Sequence, residues 1–391
     1  MKNNYFLIKK FRSGLQTLGL SLLLLIIFQS QATAQDYIIE RGDITGGGWY
    51  NGGMRMCVVD KNEYYQPYLT GASKVAVRQY KNSIISDWGT NTAFPDASGE
   101  GDIARDSINQ VIYIAFFNSY YSKIYTYKRA VTDNDWVFVN TLDNPDAFDF
   151  MGYTLRLAFN KNSGTLFMSF NEQTSLKVYF YELVAGAWTD LTGSSSMSCN
   201  NSEFEMVAYG NRVIITTTPM IGSYYTLQVH SYNITTHSFT NLPDWNNGVE
   251  YQSVRFATTA YKSATDEYVS FVSSHNGTNY LPKVVKSAGG AAWTDMSNGL
   301  PAEYIANGSW DCSIVYNNLT SKYSLIYAKA SPALVKGYNW NGTTWINMNV
   351  PDMTASNIFA TTNYKDVYFL GWDAYTYVDI SQPMRLRSEI P

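Results

Sequence analysis

The sequence predicts an all-β protein, a seven-bladed β-propeller of four-stranded antiparallel blades, on three observations. A Trp or Phe followed by polar residues and a turn recurs six times, at intervals of 48–54 residues. Each interval holds short alternating or apolar runs separated by Asx, Gly and Ser turns, with no helical periodicity of useful length. The 357 residues that follow residue 34 divide by seven into 51, which matches the interval. Six or eight blades are the alternatives.

The third interval shows the content of one blade. Its runs are LRLAFN (155–160), GTLFMSF (164–170), LKVYFYE (176–182) and AWTDLTG (187–193). Second-strand and third-strand runs can each be found seven times along the chain. The predicted first strands, which line the axis, lie near 54–59, 102–106, 155–160, 205–209, 254–259, 312–317 and 357–362.

The last blade has an ambiguous fourth strand. AYTYVDI (374–380) is predicted as its third strand. The fourth is either MRLRSEIP at the C-terminus or DYIIERG (36–42) from the N-terminus. The second choice closes the ring and removes free sheet edges.

The recurring Trp and Phe positions are predicted to begin the outer strands. We expect four of them to pack between neighbouring blades rather than to contact a ligand. These are Trp136, Trp188, Trp293 and Trp345.

The repeat resembles kelch-like and Asp-box-containing propellers at the level of fold. The turn NKNSGTLF (160–167) is similar to the turn between first and second strands in many of them. No unit carries the Gly-Gly pair of kelch repeats or the complete Asp-box. The resemblance covers the whole chain after the leader and implies a fold, without implying a particular function.

Residues 1–34 are predicted to be a secretory signal peptide. Lys9, Lys10 and Arg12 precede an apolar stretch from Leu18 to Phe28, and the small residues 32–34 form a cleavage site. The apolar run is shorter than the ~20 residues that span a bilayer. No cysteine for a lipid anchor lies near the cleavage site. We therefore expect a single propeller domain over 35–391 that is secreted or periplasmic and not inserted in a membrane.

Charge and cysteine content limit the partners and cofactors. The leader takes four of the 28 basic residues, leaving 24 against 32 acidic residues, a net charge of −8. Such a balance argues against nucleic acid as a partner. The three cysteines lack zinc-site spacing, and we interpret them as small buried side chains. No metal or other cofactor is predicted.

Aromatic residues are concentrated in the loops that open at one face of the predicted propeller. These loops join second to third strands, or a fourth strand to the next first strand. Their rings alternate with Asn, Asp and Gly, as suits a surface that recognises sugars or peptides. Rings that only hold the loops onto the blades are the alternative. The predicted ligand-contacting members are Trp49, Tyr50, Trp245, Tyr251 and Trp310, with Tyr120, Tyr121, Tyr224, Tyr225, His275, Asn276, Tyr280 and Tyr304 in the same set of loops.

Three arginines are predicted to share one register on first strands, in units one, three and five. Arg55, Arg156 and Arg255 would then surround the mouth of the channel, where guanidinium groups favour a carboxylate, sulfate or phosphate. The alternative is that buried arginines are neutralised by carboxylates at or next to that register on other blades. Those carboxylates are Asp102, Glu205 and Asp311.

The sequence thus favours an exported, non-catalytic recognition propeller whose ligand is a glycan or a protein. Its aspartates do not recur in a catalytic motif, and its three histidines are scattered. Two alternatives stay open. One is an exported glycoside-active enzyme of sialidase or lyase type, and the other is an interaction scaffold in a cell-envelope assembly.

Overall fold

The computed structural model describes 37–39 and 57–387, apart from a set of short segments. Those segments are 61–62, 70–74, 82–83, 89–93, 96, 119, 146–150, 173, 194–196, 200–203, 251–253, 306–311, 319, 330–333, 350–356, 364–365 and 374–379. For 37–39, the last blade and scattered strand residues elsewhere, the backbone alone is described.

Seven four-stranded antiparallel sheets, the blades, follow one another along the chain. Blade one has Cys57–Asp60, Glu63–Leu69, Val75–Lys81 and Ile84–Asp87. Blade two has Ala97–Asp106, Val111–Asn118, Lys123–Ala130 and Val137–Asp143. Blade three has Met151–Asn160, Thr165–Glu172, Val178–Val184 and Ala187–Asp190. Blade four has Phe204–Tyr209, Arg212–Thr217, Gln228–Asn233 and Ser238–Asn241.

Blade five has Val254–Lys262, Glu267–His275, Tyr280–Ala288 and Thr294–Asp295. Blade six has Cys312–Asn317, Lys322–Lys329, Leu334–Trp340 and Trp345–Asn347. Blade seven has Asn357–Asn363, Asp366–Asp373, Ile380–Arg387 and, as its outermost strand, Tyr37–Ile39. A short hairpin, Met220–Ile221 with Tyr224–Tyr225, extends from blade four, and a 3-10 turn, Ser263–Thr265, lies in blade five.

The first strands form a closed ring. Each one contacts the first strand of the next blade, and the first strand of blade seven contacts that of blade one. The fold is a seven-bladed β-propeller. The predicted blade number is confirmed, and each predicted first strand overlaps the observed one.

Ring closure follows one of the two predicted routes, with one correction. The N-terminal strand pairs with the C-terminal one, Ile38 opposite Arg385, and so supplies the fourth strand of blade seven. The third strand is Ile380–Arg387, not AYTYVDI, and most of that run lies outside the described residues. MRLR therefore belongs to the third strand, because the N-terminal segment occupies the outer edge.

The hydrophobic core lies between blades rather than at one centre. The second strand of blade three, Thr165–Glu172, is buried at every position after its first, because both of its faces are covered by neighbouring blades. The outer strand Ala187–Asp190 is mostly exposed. This difference explains why residues 166–170 of the second strand are mostly apolar, whereas the outer strand of the same blade ends on Thr189 and Asp190.

The recurring tryptophans join each blade to the preceding one, as predicted. Trp136 meets Trp88 of blade one edge to face, with ring centroids 5.3 Å apart. The other three donate an indole N–H across the blade boundary. Their acceptors are Thr126 Oγ1 for Trp188 at 3.1 Å, the Pro243 carbonyl for Trp293 at 2.6 Å and the Met296 carbonyl for Trp345 at 2.7 Å.

The three cysteines are buried and form no disulfide, which confirms their interpretation as small core residues. Burial raises the pKa of the Cys57 thiol to about 12. A thiol with such a pKa is not a nucleophile at neutral pH.

Candidate ligand cleft on the loop face

A cleft of about 380 Å³ opens at the end of blade five. It draws on the loop between the second and third strands of that blade, at Asn276. It also draws on the two connections to neighbouring blades, at Asn247 and Pro301. Both predicted classes of loop therefore open on the same face, which we call the loop face.

The cleft is amphipathic. Its apolar wall consists of Val249, Leu281, Pro282, Leu300, Pro301 and Ala302. Its polar side consists of Asn247, Ser274, His275, Asn276, Lys283 and Ser297. A mainly apolar lining with a few polar groups is the usual construction of a small-ligand site.

Trp245 and Asn247 fix the connection that enters the cleft from blade four. Trp245 forms an isolated antiparallel bridge with Leu227, with N···O distances of 2.8 and 3.1 Å, and its half-buried ring packs against the core between blades four and five. Asn247 then donates from Nδ2 to Ser274 Oγ at 2.8 Å and accepts the Val249 N–H at Oδ1 at 3.0 Å.

His275 ends the second strand of blade five and lines the cleft. Its Nδ1 accepts the N–H of Gly277 at 3.1 Å, so the ring proton resides on Nε2. The imidazole meets the Tyr280 ring edge to face at 4.7 Å and is only 6% exposed. The hairpin and the tyrosine therefore hold the ring in one orientation.

Lys283 and Asp295 form an ion pair across the third and fourth strands of blade five. Partial desolvation acts to raise the pKa of Asp295, but hydrogen bonds from Lys283 and Ser297 outweigh it and hold that pKa below its usual value. Asp295 is therefore ionised at neutral pH and offsets the charge of Lys283.

The connection from blade five to blade six, which carries Leu300, Pro301 and Ala302, is anchored to blade six. Gly299 has φ +89°, and a Cβ there would lie 2.7 Å from the Trp345 carbonyl oxygen, so this close turn requires glycine. Farther along the same connection, Glu303 accepts the Tyr327 hydroxyl at 2.5 Å. Burial and this hydrogen bond raise the pKa of Tyr327, which stays a neutral donor.

The predicted ligand residues have different fates. Trp245 anchors a loop, in agreement with the alternative that such rings hold loops on the blades. Arg255 is described by its backbone alone, which lies in the β-bulge between Val254 and Ala257. The other predicted contacts lie outside the described residues. They are Trp49, Tyr50, Arg55, Tyr251 and Trp310.

Arg156 is fully buried, at 1% exposure, between blades three and four. Its Nε lies 3.4 Å from Glu205 Oε2, its Nη1 donates to the Leu155 carbonyl at 3.0 Å, and its guanidinium faces the Phe204 ring at 6.0 Å. For Arg156 the geometry matches neutralisation by a neighbouring carboxylate, which was the alternative to a ligand contact.

The register of Arg156 is occupied by polar, buried residues in five consecutive blades, a set we call the polar belt. Each member lies four residues before the last residue of its first strand. The members are Asp102, Arg156, Glu205, Thr258 and Ser313. The expected placement of Asp102 and Glu205 at this register is confirmed. Two corrections follow.

The first correction is that Arg255 does not share this register, because the bulge shifts it and Thr258 takes the position. The second is that Ser313 takes the position expected for Asp311, which lies outside the described residues. The three predicted arginines therefore do not share one register.

Aromatic residues on the loop face vary in exposure. Tyr120 and Tyr304 expose 75% and 48% of their surface, respectively. Tyr224 and Tyr225 are half-buried in the hairpin of blade four. Sequence reasoning missed Lys283, Leu300 and Pro301, because nothing in the sequence distinguishes them from other strand and loop residues. They line the cleft only because the fold brings three loops together.

Within the part of the chain that the structure describes, no group of three His, Cys, Asp or Glu side chains is placed to hold a metal ion. Over the same residues, no helix has the length and apolar character needed to cross a membrane.

Comparison with known proteins identifies the fold alone. No family model and no curated protein matches the chain. Among solved structures, an α-L-arabinofuranosidase from Fusarium graminearum has a TM-score of 0.51 and 9% identity, covering 90% of this chain and 97% of its own. A polysaccharide lyase has a TM-score of 0.51 and 10% identity, covering 92% and 95%. The β-propeller domain of the trilobed protease from Pyrococcus furiosus has a TM-score of 0.50 and 8% identity, covering 90% and 96%.

Proposed function

We propose that this chain is an exported, non-catalytic recognition propeller that binds a glycan in the loop-face cleft. The observation that carries the proposal is the amphipathic construction of the cleft from three loops. The carbon-bound hydrogens of a sugar form apolar patches that fit the Leu, Pro and Ala wall. Its hydroxyls fit the amide, hydroxyl and imidazole groups of the same cleft.

Two of the three structural neighbours named above are carbohydrate-active proteins, an arabinofuranosidase and a polysaccharide lyase. At 9–10% identity they share the fold with this chain and nothing more specific. They make saccharides the reasonable first ligands to test.

The non-catalytic part of the proposal rests on the kinds of polar group in the cleft. Its described lining offers amides, hydroxyls, one imidazole and one paired ammonium group. These groups bind a sugar, whereas glycoside hydrolysis ordinarily uses a pair of carboxylates. The enzyme and the protein-binding scaffold remain the competing functions.

Export is part of the proposal and depends on the predicted leader. Expression of the full chain in a bacterial host should yield a mature protein beginning at Gln35 in the periplasm or medium. N-terminal sequencing measures this directly. An uncleaved chain that stays in the cytoplasm would contradict it.

The function is tested by screening the purified protein on a glycan array and on chromogenic glycosides. Ala302→Trp narrows the cleft, while Ala291→Trp alters an exposed turn on the opposite face of blade five. We expect Ala302→Trp to reduce glycan binding at least tenfold with unchanged melting, and Ala291→Trp to leave binding intact. Turnover of a glycoside would support the enzyme instead. Folded protein that binds no glycan would overturn the proposal.

A further inference from the structure

The hydrogen-bonding groups of the cleft are not equally available to a ligand. Asn247 uses its amino group on Ser274 and its carbonyl on the Val249 N–H. Ser297 exchanges hydrogen bonds with the Val284 backbone, accepting its N–H at 3.0 Å and donating to its carbonyl at 3.2 Å. These two side chains therefore hold the loops of the cleft together with the hydrogen bonds just described.

Asn276 and His275 each keep one donor. Asn276 accepts the N–H groups of Thr278 and Asn279 at its Oδ1, at 3.0 and 2.8 Å, which leaves its Nδ2 amino group for a ligand. His275 accepts at Nδ1 from Gly277, which leaves the Nε2–H. A ligand that complements this side of the cleft must present an acceptor.

That acceptor is better uncharged than anionic. Lys283 is the one cationic side chain among the cleft residues that the structure describes, and Asp295 already neutralises it. A carboxylate would have to compete with Asp295 for the ammonium group. An amino sugar with a free amine would bring a further donor to a donor-rich site. Charge complementarity therefore favours a neutral acceptor group.

The apolar wall supplies the second requirement. Leu281, Leu300, Pro301 and Ala302 line the same cleft as the donors. A methyl group attached to the acceptor would be removed from water there. Burying one such group contributes ~0.8 kcal/mol, which is about a fourfold change in affinity.

An acetamido group meets both requirements, because it has a neutral carbonyl acceptor and a methyl group on the same carbon. We propose that the cleft selects sugars carrying an N-acetyl group, such as N-acetylhexosamines. This inference rests on the proposed glycan function and names the sugar class. It differs from the anionic ligand that the arginine pattern predicted, since Arg156 is buried away from solvent.

The first experiment is a calorimetric titration with N,N′-diacetylchitobiose, with cellobiose and with chitobiose that has free amines. We expect the acetylated disaccharide to bind at least tenfold more tightly than the other two. Equal binding of acetylated and hydroxyl sugars would overturn the inference and leave the glycan function standing. A folded protein that binds neither these sugars nor any glycan on the array would overturn both.

The second experiment tests whether the acetamido group binds at Asn276 in the cleft. Asn276→Asp keeps the oxygen that caps the turn and removes the amino donor. Asn341→Asp makes the same change in an identical Asn-Gly-Thr turn on the opposite face of blade six, where Asn341 Oδ1 accepts the Thr343 and Thr344 N–H groups at 3.0 and 2.9 Å. We expect at least a tenfold loss of diacetylchitobiose affinity in the first variant alone, with equal melting temperatures. Equal affinities in both variants would overturn the inference.

Discussion

The Asp102 carboxylate accepts the backbone N–H of Leu157 at 2.6 Å, although 55 residues separate the two along the chain. Its other oxygen accepts the N–H of Ile103 at 2.8 Å, and the side chain is fully buried. In blade five the Thr258 hydroxyl accepts the Ile314 N–H in the same way, at 3.0 Å. Polar-belt residues thus join one first strand to the next around the axis.

Asp102→Ala should lower the free energy of unfolding by about 2–3 kcal/mol. It leaves the buried Leu157 N–H without this acceptor, and hydrogen bonds to charged groups contribute roughly 1.5–3 kcal/mol. Thr258→Val removes the neutral counterpart and should cost about 1 kcal/mol. Urea denaturation measures both. An equal effect in the two variants would contradict the special role of the charged acceptor.

Arg156→Ala should reduce stability by about 3–5 kcal/mol, because it leaves Glu205 buried without the guanidinium. The double variant Arg156→Met with Glu205→Met should recover much of that loss. Glycan affinity in the folded fraction should not change. Thermal melting and ligand titration together check this. Unchanged melting with a tenfold loss of affinity would return Arg156 to the ligand site.

Trp345→Ala should cost about 3–5 kcal/mol, as expected for truncating a large buried aromatic side chain. Trp345 is 2% exposed and donates to the Met296 carbonyl of blade five. Ile346, the next residue, is 49% exposed, so Ile346→Ala is the matched control and should change stability by less than about 0.5 kcal/mol. Similar denaturation midpoints for the two variants would show that Trp345 does not hold the blades together.

Stability should fall as pH decreases below about 6.5, the ordinary pKa of histidine, in part because of His230. Burial lowers the pKa of His230, and the hydrogen bond with Asn241 opposes that shift only partly. The unfolded state therefore binds the proton at a higher pH than the folded state, so acid favours unfolding.

His230→Gln should flatten this decline. Melting temperatures of both proteins between pH 8 and pH 5 measure it, with the difference at pH 8 serving as the baseline. Parallel curves over the whole range would contradict a contribution from His230.

Much of the fold was predictable because strand and turn preferences are local. The run GTLFMSF is rich in large apolar side chains because a second strand is covered on both faces, and the structure places Thr165–Glu172 there. The interval between tryptophans fixed the length of a blade and hence the number of blades. Trp188 and Trp345 occupy the predicted places between blades, because each recurs at the same point of its repeat.

The candidate site was only partly predictable. His275 and Asn276 were expected on the loop face, since they follow a recognisable second strand. Lys283 and Pro301 were not, since nothing near them in the sequence distinguishes them from other strand and loop residues. The expected common register of the arginines also fails at Arg255, where a bulge of the backbone changes the register.

The sequence by itself therefore determined the blade number, the places of the first strands and the face on which the long loops open. These properties follow from patterns that repeat within about fifty residues. Only the tertiary structure decided that Glu205 neutralises Arg156, that Thr258 rather than Arg255 joins the polar belt and that three loops enclose one cleft. Each of these depends on contacts between distant residues and on the bulges that set strand register, and neither has a local sequence pattern.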